Sequence, residues 1–428
     1  MWLETRLARR RVLAAVAIMS LLVGSSILYL GLLTPPAESH VPTTPIEHVV
    51  VIMKENHAFD NYFGTFPGVE GLGAGRSLPD GRGGFVETHF LDGTSTPDLP
   101  HDRESMIRDY NGGRNDGFVI SAEAWGAGLG NYSMGYFDNH QLPGYWELAS
   151  EYVIADHYFH SMLGPTIPNR LYSIAGTAGG ITSNLLPPEG LTFPTIFDQL
   201  ETAKISWAYY NESTPGYLPL PMHFTALRSR ASMVSKLLPL GQLATDMRNG
   251  LLPAVTYVDP QSGLGVSEHP PENVTRGDAW TMSIVSELVR GPQWSSTALF
   301  LTWDEAGGYY DHVPPPQVDE WGYGFRVPML VISAYAKRGS VDKEVMDHTS
   351  ILRFISRNWN LVPLTYREAQ ANDMSSAFNF VDAGTGNGYV MPPPTPPIAQ
   401  TLRERRPKLP ASSSAPTDDG TWVIDRGV

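Results

Sequence analysis

The sequence predicts an α/β fold built around a mainly parallel β-sheet that is flanked by helices. Short apolar runs, typical of buried strands, alternate along the chain with segments of helical periodicity. Parallel neighbours need a crossover connection, so strands that are separated by helices favour parallel pairing. Of the 428 residues, 42% are hydrophobic and 11% are aromatic, which is enough for one large core.

The chain between its two ends contains six predicted strands and four predicted helices. The strands lie at 47–53, 152–155, 205–210, 254–258, 298–303 and 327–333. The helices lie at 169–175, 193–201, 278–290 and 350–359. In open parallel sheets, ligands bind at the carboxyl ends of the strands. Polar residues that directly follow a predicted strand are therefore the first candidates for a functional site.

The first 34 residues are predicted to be a signal anchor. Residues 12–33 form an uncharged apolar run that is long enough to cross a bilayer. Four arginines precede the run and favour a cytoplasmic N-terminus; they are Arg6, Arg9, Arg10 and Arg11. A cleaved signal peptide is the alternative. Both interpretations place the remainder outside the cytoplasm, either held at the cell membrane or secreted.

The rest of the chain is predicted to form one domain with a linker before it and a tail after it. Residues 35–45 are the linker, and the domain covers residues 46–385. No internal repeat and no second boundary interrupts the domain. Residues 386–428 are rich in Pro, Ser and charge, which is typical of an extended surface tail.

Charge and cysteine content exclude several functions. The formal net charge of −14 argues against nucleic acid as a partner. The chain has no cysteine, which excludes disulfides, thiolate zinc sites and cysteine nucleophiles. An anionic substrate would need a cation to offset the acidic local field.

Two predicted strands end in the same way. Glu55 and Asn56 follow the strand at 47–53, and Asp304 and Glu305 follow the strand at 298–303. If the strands are parallel neighbours, three carboxylates and an amide meet at one edge and repel one another unless a cation lies between them. Oxygen ligands of this kind suit a divalent metal. The alternative is that these acids simply face water.

A third segment, GPTIPNR, offers a nucleophile. Gly164 and Pro165 predict a turn, and Pro168 suits the start of a helix. Thr166 would then lie beside helix amides that favour a phosphate, and a bound metal could activate its hydroxyl. Arg170, in the first turn, could contact phosphoryl oxygens. The alternative for Thr166 is an ordinary helix cap.

Histidines in polar loops are the fourth signal. A lone histidine is more often packed or exposed than catalytic, but several in loops rich in Pro and Gly suggest that some line a site. The histidines in such loops are His101, His157, His160, His269, His312 and His348.

At these segments the chain resembles the bacterial phospholipase C and acid phosphatase A phosphoesterase family, within the alkaline-phosphatase-like superfamily. The resemblance extends in order from about residue 46 to residue 359. The matching blocks are EHVVVIMKENHAFDNYFG, GPTIPNRLYSIAGT, SEHPP, LFLTWDEAGGYYDHVPPP and DHTSILRFI. In relatives the first motif commonly continues with Arg and Ser after the Asn, where this chain has His57 and Ala58.

The resemblance implies a role for each matching residue. It implies metal ligation by Glu55, Asn56, Asp304 and Glu305. It implies that Thr166 is the nucleophile and that His101, His269, His312 and His348 lie in segments around the active site. Among them we expect His312, His269 and His101 to be catalytic, and we expect Arg170 and His348 to bind substrate. The metal would be one or more divalent ions, with calcium, magnesium, manganese and zinc all open.

The expected function is therefore metal-dependent hydrolysis of phosphomonoesters or phosphodiesters through a phosphothreonine intermediate, as in an acid phosphatase. A phospholipase C that cleaves phospholipid head groups is the first alternative. A non-catalytic surface-binding protein that retains the fold is the alternative from another class. A sulfatase is disfavoured, because that chemistry uses a formylglycine made from Cys or Ser and this chain has Thr at the matching position.

Overall fold

The computed structural model describes residues 40–212, 218–260 and 265–380. The chain divides into two compact units, Met1–Val41 and Pro42–Val428. The predicted signal anchor and the predicted C-terminal tail both lie outside the described residues. Within the described ranges, no helix has both the length and the apolar character needed to span a membrane.

The described part of the second unit contains fourteen strands. They are β1 His48–Lys54, β2 Ser77–Pro79, β3 Phe85–Glu87, β4 His89–Phe90, β5 Gly135–Tyr136, β6 Val153–Ala155, β7 Tyr158–Phe159, β8 Trp207–Asn211, β9 Leu237–Pro239, β10 Val255–Asp259, β11 Thr297–Trp303, β12 Met329–Ser333, β13 Ser340–Asp342 and β14 Met346–Asp347.

The α-helices in the same ranges are mostly short. They are α1 Phe59–Phe63, α2 Arg103–Tyr110, α3 Phe118–Trp125, α4 Leu129–Ser133, α5 Pro143–Glu151, α6 Thr166–Ala175, α7 Ile196–Ala203, α8 Thr225–Arg228, α9 Ala231–Val234, α10 Leu243–Asn249, α11 Val274–Arg290, α12 His348–Asn358 and α13 Tyr366–Gln370.

Eight strands form the central sheet in the order β13-β6-β12-β11-β1-β10-β8-β9. The five pairs β1–β10, β1–β11, β10–β8, β8–β9 and β13–β6 are parallel. Strand β12 runs antiparallel to β11 and β6. The connection from β11 to β12 contains no helix that could carry the chain back across the sheet for a parallel return. The predicted α/β class and mainly parallel sheet are confirmed.

Strand β1 lies at the centre of the sheet because its side chains are apolar on both faces. Residues Val49, Val50, Val51 and Ile52 are all fully buried. Parallel sheets covered on both faces select such continuous apolar runs. The register pairs Lys54 with Trp303 of β11, and Ile52 with Val258 of β10. The three strands therefore end at the same edge.

The six predicted strands all occur in this sheet, with ends shifted by at most two residues. The main differences concern helix starts and short edge strands. Helix α6 begins at Thr166, three residues before the predicted start, because Pro168 fits in a first turn that needs no N–H from it. Strands β9 and β13 have three residues each, too few to show a periodicity in the sequence.

Candidate active site

The two strand-end pairs meet at the edge where β1 and β11 finish. The Asp304 N–H donates to Lys54 O (3.1 Å), and the Asn56 N–H donates to Asp304 Oδ1 (3.2 Å). The Glu305 N–H donates to the same oxygen at 2.8 Å. Glu55 is 5% exposed, and Asn56, Asp304 and Glu305 are fully buried. The structure thus brings together all four residues that the sequence predicts as metal ligands.

A tight backbone contact shapes the turn that carries Asn56. The φ of Asn56 is +61°, a left-handed conformation that asparagine adopts more readily than most residues. Gly307 packs against this turn with φ +64°, and a Cβ at Gly307 would come within 2.8 Å of the O, Cβ and C atoms of Asn56. Glycine at 307 therefore lets the second strand-end segment pass directly over the first.

Arg170 lies between carboxylates from three strand ends. Its Nε donates to Asp304 Oδ2 (2.9 Å), its Nη1 to Asp259 Oδ1 (2.7 Å) and its Nη2 to Glu55 Oε1 (3.2 Å). The side chain is 4% exposed. Each guanidinium nitrogen thus has a contact within the protein, and the phosphoryl contact expected for Arg170 stays a prediction.

Asp259 is a site residue that the sequence reasoning missed. It is the last residue of β10, the parallel neighbour of β1 on the other side from β11. Its two carboxylate oxygens accept from Arg170 and from the Tyr209 hydroxyl (2.8 Å). The run VTYVD has the same form as the other two strand ends, with apolar residues followed by an acid, and that pattern could have identified it.

Burial makes the charged forms of this cluster costly. It raises the pKa of Glu55 to about 7, with Arg170 opposing the shift and Asp304 adding to it. Burial also raises the pKa of Glu305 well above its usual value, and the neighbouring Asp304 charge adds to that shift. One guanidinium does not offset the carboxylates, so a further cation would stabilise their ionised forms.

Two buried oxygen atoms at this edge have no hydrogen-bond partner among the described residues. They are Asn56 Oδ1 and Glu305 Oε1. A buried acceptor that is left unpaired costs about 1–3 kcal/mol. Amide and carboxylate oxygens are the ligands that hard divalent cations prefer. The residues present therefore fit a divalent metal ion.

His101 and His269 form a second group beside the first. His101 Nδ1 lies 2.6 Å from Leu99 O and His269 Nδ1 lies 2.8 Å from Pro270 O. A carbonyl only accepts, so both Nδ1 atoms carry the proton and both Nε2 atoms are left as ligands or bases. Ligand atoms of Asp98, His101 and His269 all lie within 4.8 Å of one another. Asp98, which the sequence reasoning did not single out, completes this group.

The histidine group touches the carboxylate group through Asn56. The Asn56 Nδ2 atom lies 3.4 Å from His101 Nε2. The charge of His269 lowers the pKa of both Glu55 and Glu305, although burial dominates both values. If the imidazoles join the metal shell, a softer ion than magnesium becomes favourable.

Thr166 is the first residue of α6 and is half-buried. Arg170 lies four residues later, and residues at this spacing share one helix face. That face is the one that meets Glu55 and Asp304. Two of the first three residues of α6 offer no free amide, because Pro168 has no N–H and the Ile167 N–H donates to Asn184 Oδ1 (2.9 Å). Only the Thr166 N–H is without a described partner. The helix terminus offers fewer free amides than the sequence suggested.

A pocket of ≈ 470 Å³ opens beside this site. Its lining includes Pro165, which precedes Thr166, and His101. Three carboxyl groups, one guanidinium and an exposed indole also line it, from Asp98, Asp102, Glu104, Arg103 and Trp125. The wall is acidic, with an aromatic face available.

His348 holds the protein backbone, in contrast to the expected substrate contact. Its Nε2–H donates to Asp304 O (2.8 Å), and its Nδ1 accepts from the Tyr158 hydroxyl (3.0 Å). The ring is fully buried, and burial lowers its pKa. Both ring nitrogens are therefore used inside the protein, and His348 fixes the position of Asp304.

His312 belongs to a different cluster from the four strand-end residues. Its Nδ1 donates to Asp60 Oδ2 (2.5 Å), and Asp60 in turn accepts from Arg326 (3.1 Å). Arg326 also donates to Asp311 (2.8 Å). No described contact joins His312 to Glu55, Asn56, Asp304 or Glu305. The contacts therefore favour His269 or His101 over His312 as the catalytic histidine.

Comparison with known proteins gives a family match and several relatives. A model of the Phosphoesterase family matches residues 46–362. Phospholipase C B of Mycobacterium tuberculosis is 32% identical over 81% of this chain and 79% of its own length. Phospholipase C A of the same organism is 30% identical, over 88% of this chain and 83% of its own.

A more distant relative and one solved structure are also similar. The non-hemolytic phospholipase C of Pseudomonas aeruginosa is 29% identical over 91% of this chain and 66% of its own length. A solved protein of the alkaline phosphatase superfamily from Vibrio parahaemolyticus has a TM-score of 0.39 at 10% identity, covering 78% of this chain and 71% of that one. On the family match and the mycobacterial relatives, the chain belongs to the Phosphoesterase family and is a phosphoester hydrolase.

Proposed function

We propose that this phosphoester hydrolase is metal-dependent and that Thr166 is its nucleophile. The observation that carries the metal is the pair of buried, unpartnered oxygens, Asn56 Oδ1 and Glu305 Oε1. Thr166 is proposed because it begins the helix whose Arg170 contacts Glu55 and Asp304. Glu55, Asn56, Asp304 and Glu305 would hold the ion. When bound, a divalent metal polarises phosphoryl oxygens and makes a nearby hydroxyl easier to deprotonate.

In the first half-reaction, Thr166 Oγ1 gives up its proton to solvent and forms a bond to phosphorus while the bond from phosphorus to the leaving oxygen breaks. Residues of α6 orient the hydroxyl, and the helix terminus favours the negative phosphoryl group. A histidine donates a proton to the leaving oxygen. His269 and His101 suit this task, because a protonated ring keeps its Nδ1–H on the backbone carbonyl and still offers Nε2–H.

In the second half-reaction, water attacks the phosphorus of the phosphothreonine, the bond from phosphorus to Oγ1 breaks, and Oγ1 takes a proton back from solvent. The same histidine, now neutral, can take a proton from that water, because its role reverses between the two steps. Arg170 holds Glu55, Asp259 and Asp304 in place throughout. Electrostatic preorganisation of this kind is the main source of catalysis in phosphoryl transfer.

The substrate is proposed to be a phosphodiester, cleaved as by a phospholipase C. The support is the name that the mycobacterial relatives carry, at 30–32% identity over most of both chains. The pocket is acidic and contains the indole of Trp125. Both features favour a substrate in which the leaving group or the retained group carries a positive charge. Calcium, magnesium, manganese and zinc all remain candidates for the ion.

Two other functions are less well supported. An acid phosphatase is less well supported because the mycobacterial relatives, which match over 79% and 83% of their own length, are named phospholipases C. A non-catalytic binding protein is disfavoured because the acids, Asn56 and Thr166 are all present. A location outside the cytoplasm, anchored or secreted, is proposed from the basic and apolar pattern of residues 1–34 alone.

Replacement of Thr166 by Val tests the nucleophile, since it keeps the shape and removes the oxygen. We expect kcat to fall by a factor of about 1,000 or more with metal binding retained, because a covalent nucleophile contributes several kcal/mol. Thr202→Val, at an exposed helix position, is the matched control and should leave kcat unchanged.

The assay should compare a soluble phosphodiester, a phosphomonoester and phosphatidylcholine, each with and without a chelator. Chelation should abolish turnover of every substrate that the protein accepts. A Thr166→Val variant within about tenfold of wild-type kcat would contradict the nucleophile assignment. Hydrolysis of the monoester alone would move the function to a phosphatase.

A further inference from the structure

Behind the candidate metal site lies a buried carboxylate that accepts from four side chains. Glu268 is fully buried, and its Oε1 atom pairs with Lys54 Nζ (3.0 Å) and accepts from the Tyr145 hydroxyl. Its Oε2 atom accepts from the Tyr62 hydroxyl (2.8 Å) and from Trp303 Nε1 (3.0 Å). A carboxylate has about four lone-pair sites, so the group is saturated.

Three members of this network directly precede residues of the site. Lys54 precedes Glu55, Trp303 precedes Asp304, and Glu268 precedes His269. Lys54 and Trp303 are partners in the β1–β11 register. Side chains of consecutive strand residues point in opposite directions. One carboxylate thus ties together the three backbone segments that carry Glu55, Asp304 and His269.

The backbone of Glu268 is itself held in an unusual conformation. Its φ is +76°, which a residue with a side chain rarely adopts. The Glu272 carboxylate accepts from the N–H groups of Ser267 (2.9 Å) and Glu268 (3.1 Å). The Glu55 N–H donates to Ser267 O at 3.0 Å. These contacts fix the strained turn and join it to the end of β1.

The local packing is built around this side chain. A Cβ at Gly277 would come within 2.6 Å of Glu268 Cδ, so α11 approaches the carboxylate at a glycine. A buried ion pair of this kind is weak evidence for stability, because apolar residues of the same volume often stabilise as well or better. Its connections to three site segments point instead to a role in geometry.

We propose that Glu268 is a positioning residue, which sets Glu55, Asp304 and His269 at the spacing required for metal binding and phosphoryl transfer. This inference rests on the proposed metal-dependent function. Residues behind the ligands of a metal site typically alter metal affinity or activity by about 10–100-fold when they are replaced. Glu268 acts through the backbone segments that it holds together and does not itself contact the substrate.

Glu268→Gln tests the inference, because it keeps the shape and removes the charge that collects the four donors. We expect the affinity of the apo protein for a divalent ion such as Mn²⁺, measured by calorimetry, to fall by about 10–100-fold. The kcat/KM for a soluble phosphodiester should fall by a similar factor. The metal affinity and kcat/KM are both measured at a temperature below the unfolding transition of the variant.

Glu368→Gln is the matched control. Glu368 is also a fully buried glutamate, and it accepts from the Leu364 N–H near the far end of α12. This variant should lose stability but keep metal affinity and kcat/KM within about twofold, because no site residue depends on it. Equal losses in both variants would overturn the positioning role.

A double variant separates positioning from folding. Glu268→Gln alone leaves the buried Lys54 without its carboxylate, which is destabilising, whereas Lys54→Met together with Glu268→Gln removes both charges. We expect the double variant to regain stability while its metal affinity stays low. Recovery of metal affinity together with stability would overturn the inference. A wild-type protein that binds no metal would overturn the proposed function and this role together, whereas normal metal binding in Glu268→Gln would overturn this role alone.

Discussion

Single residues decide the electrostatics of the site, and Arg170 is the most important of them. Three carboxylates from three different strand ends lie against its guanidinium, all nearly or fully buried. Lysine could not replace this, because only the planar fork reaches three acceptors in fixed directions. The role of Arg170 emerged only from the structure, because nothing in GPTIPNR shows that Asp259 and Asp304 are its partners.

Arg170→Met should destabilise the metal-free protein by about 3–5 kcal/mol, because it leaves buried carboxylates without their cation. Added divalent metal should restore part of this loss, since the ion offers the same carboxylates a positive partner. Urea unfolding with and without metal measures both effects. Arg338→Met, which removes an exposed partner of Glu151, is the control and should cost no more than about 1 kcal/mol.

The outcome for Arg170 distinguishes two roles. If its main task is to balance charge within the protein, metal will stabilise the variant more than it stabilises wild type. If Arg170→Met unfolds at the same urea concentration as wild type in the absence of metal, the electrostatic account of the cluster is contradicted.

His312 and His348 show the limit of sequence reasoning at this scale. Both stand in matching motifs, yet one pairs with Asp60 and the other holds the backbone of Asp304. A motif identifies a residue type and a neighbourhood, but not the direction of an imidazole ring. That direction depends on partners such as Tyr158, which lies 190 residues away in the sequence.

At the scale of elements, the strands were the easiest part to predict. Strands β1, β10 and β11 are continuous apolar runs ending in an acid or just before one, and burial on both faces of a parallel sheet produces that pattern. The start of α6 was less predictable, because two prolines, Pro165 and Pro168, compete as start signals. Short elements such as β9 carry no periodic signal and depend on tertiary contacts.

The loop after β11 depends on the small size of Gly307. Gly307→Ala should weaken metal binding at least tenfold and lower stability, because the new methyl group would displace the Asn56 turn. Metal titration of the apo variant measures the first effect, and thermal unfolding measures the second.

Gly73→Ala is the matched control for Gly307→Ala. Gly73 has a similar φ of +61°, but a Cβ there would meet no atom within 4 Å. It therefore carries the same backbone strain without the clash, and metal affinity should stay at the wild-type value. Equal metal affinity in the two variants would contradict the idea that contact with Asn56 is what matters.

At the scale of the whole molecule, the carboxyl ends of the parallel strands set the location of the site. Strands β10, β1 and β11 end at one edge, and α6 brings Arg170 to the same edge. The strand-end pairs predicted this convergence because parallel neighbours end together. Asp98 and Glu268 were not predicted, since they stand in loops whose position depends on the folded chain.

The central claim is that Thr166 attacks phosphorus beside a divalent metal held by the strand-end residues. The most direct test is to mix the metal-loaded protein with a soluble phosphodiester, quench in acid within one turnover, and map the modified peptide by mass spectrometry. The expected result is one added phosphoryl group on Thr166, with the retained half of the substrate attached, absent after chelation and absent in Thr166→Val. Turnover of the ester with no phosphoryl group on Thr166 at any quench time, or labelling of another residue, would contradict it.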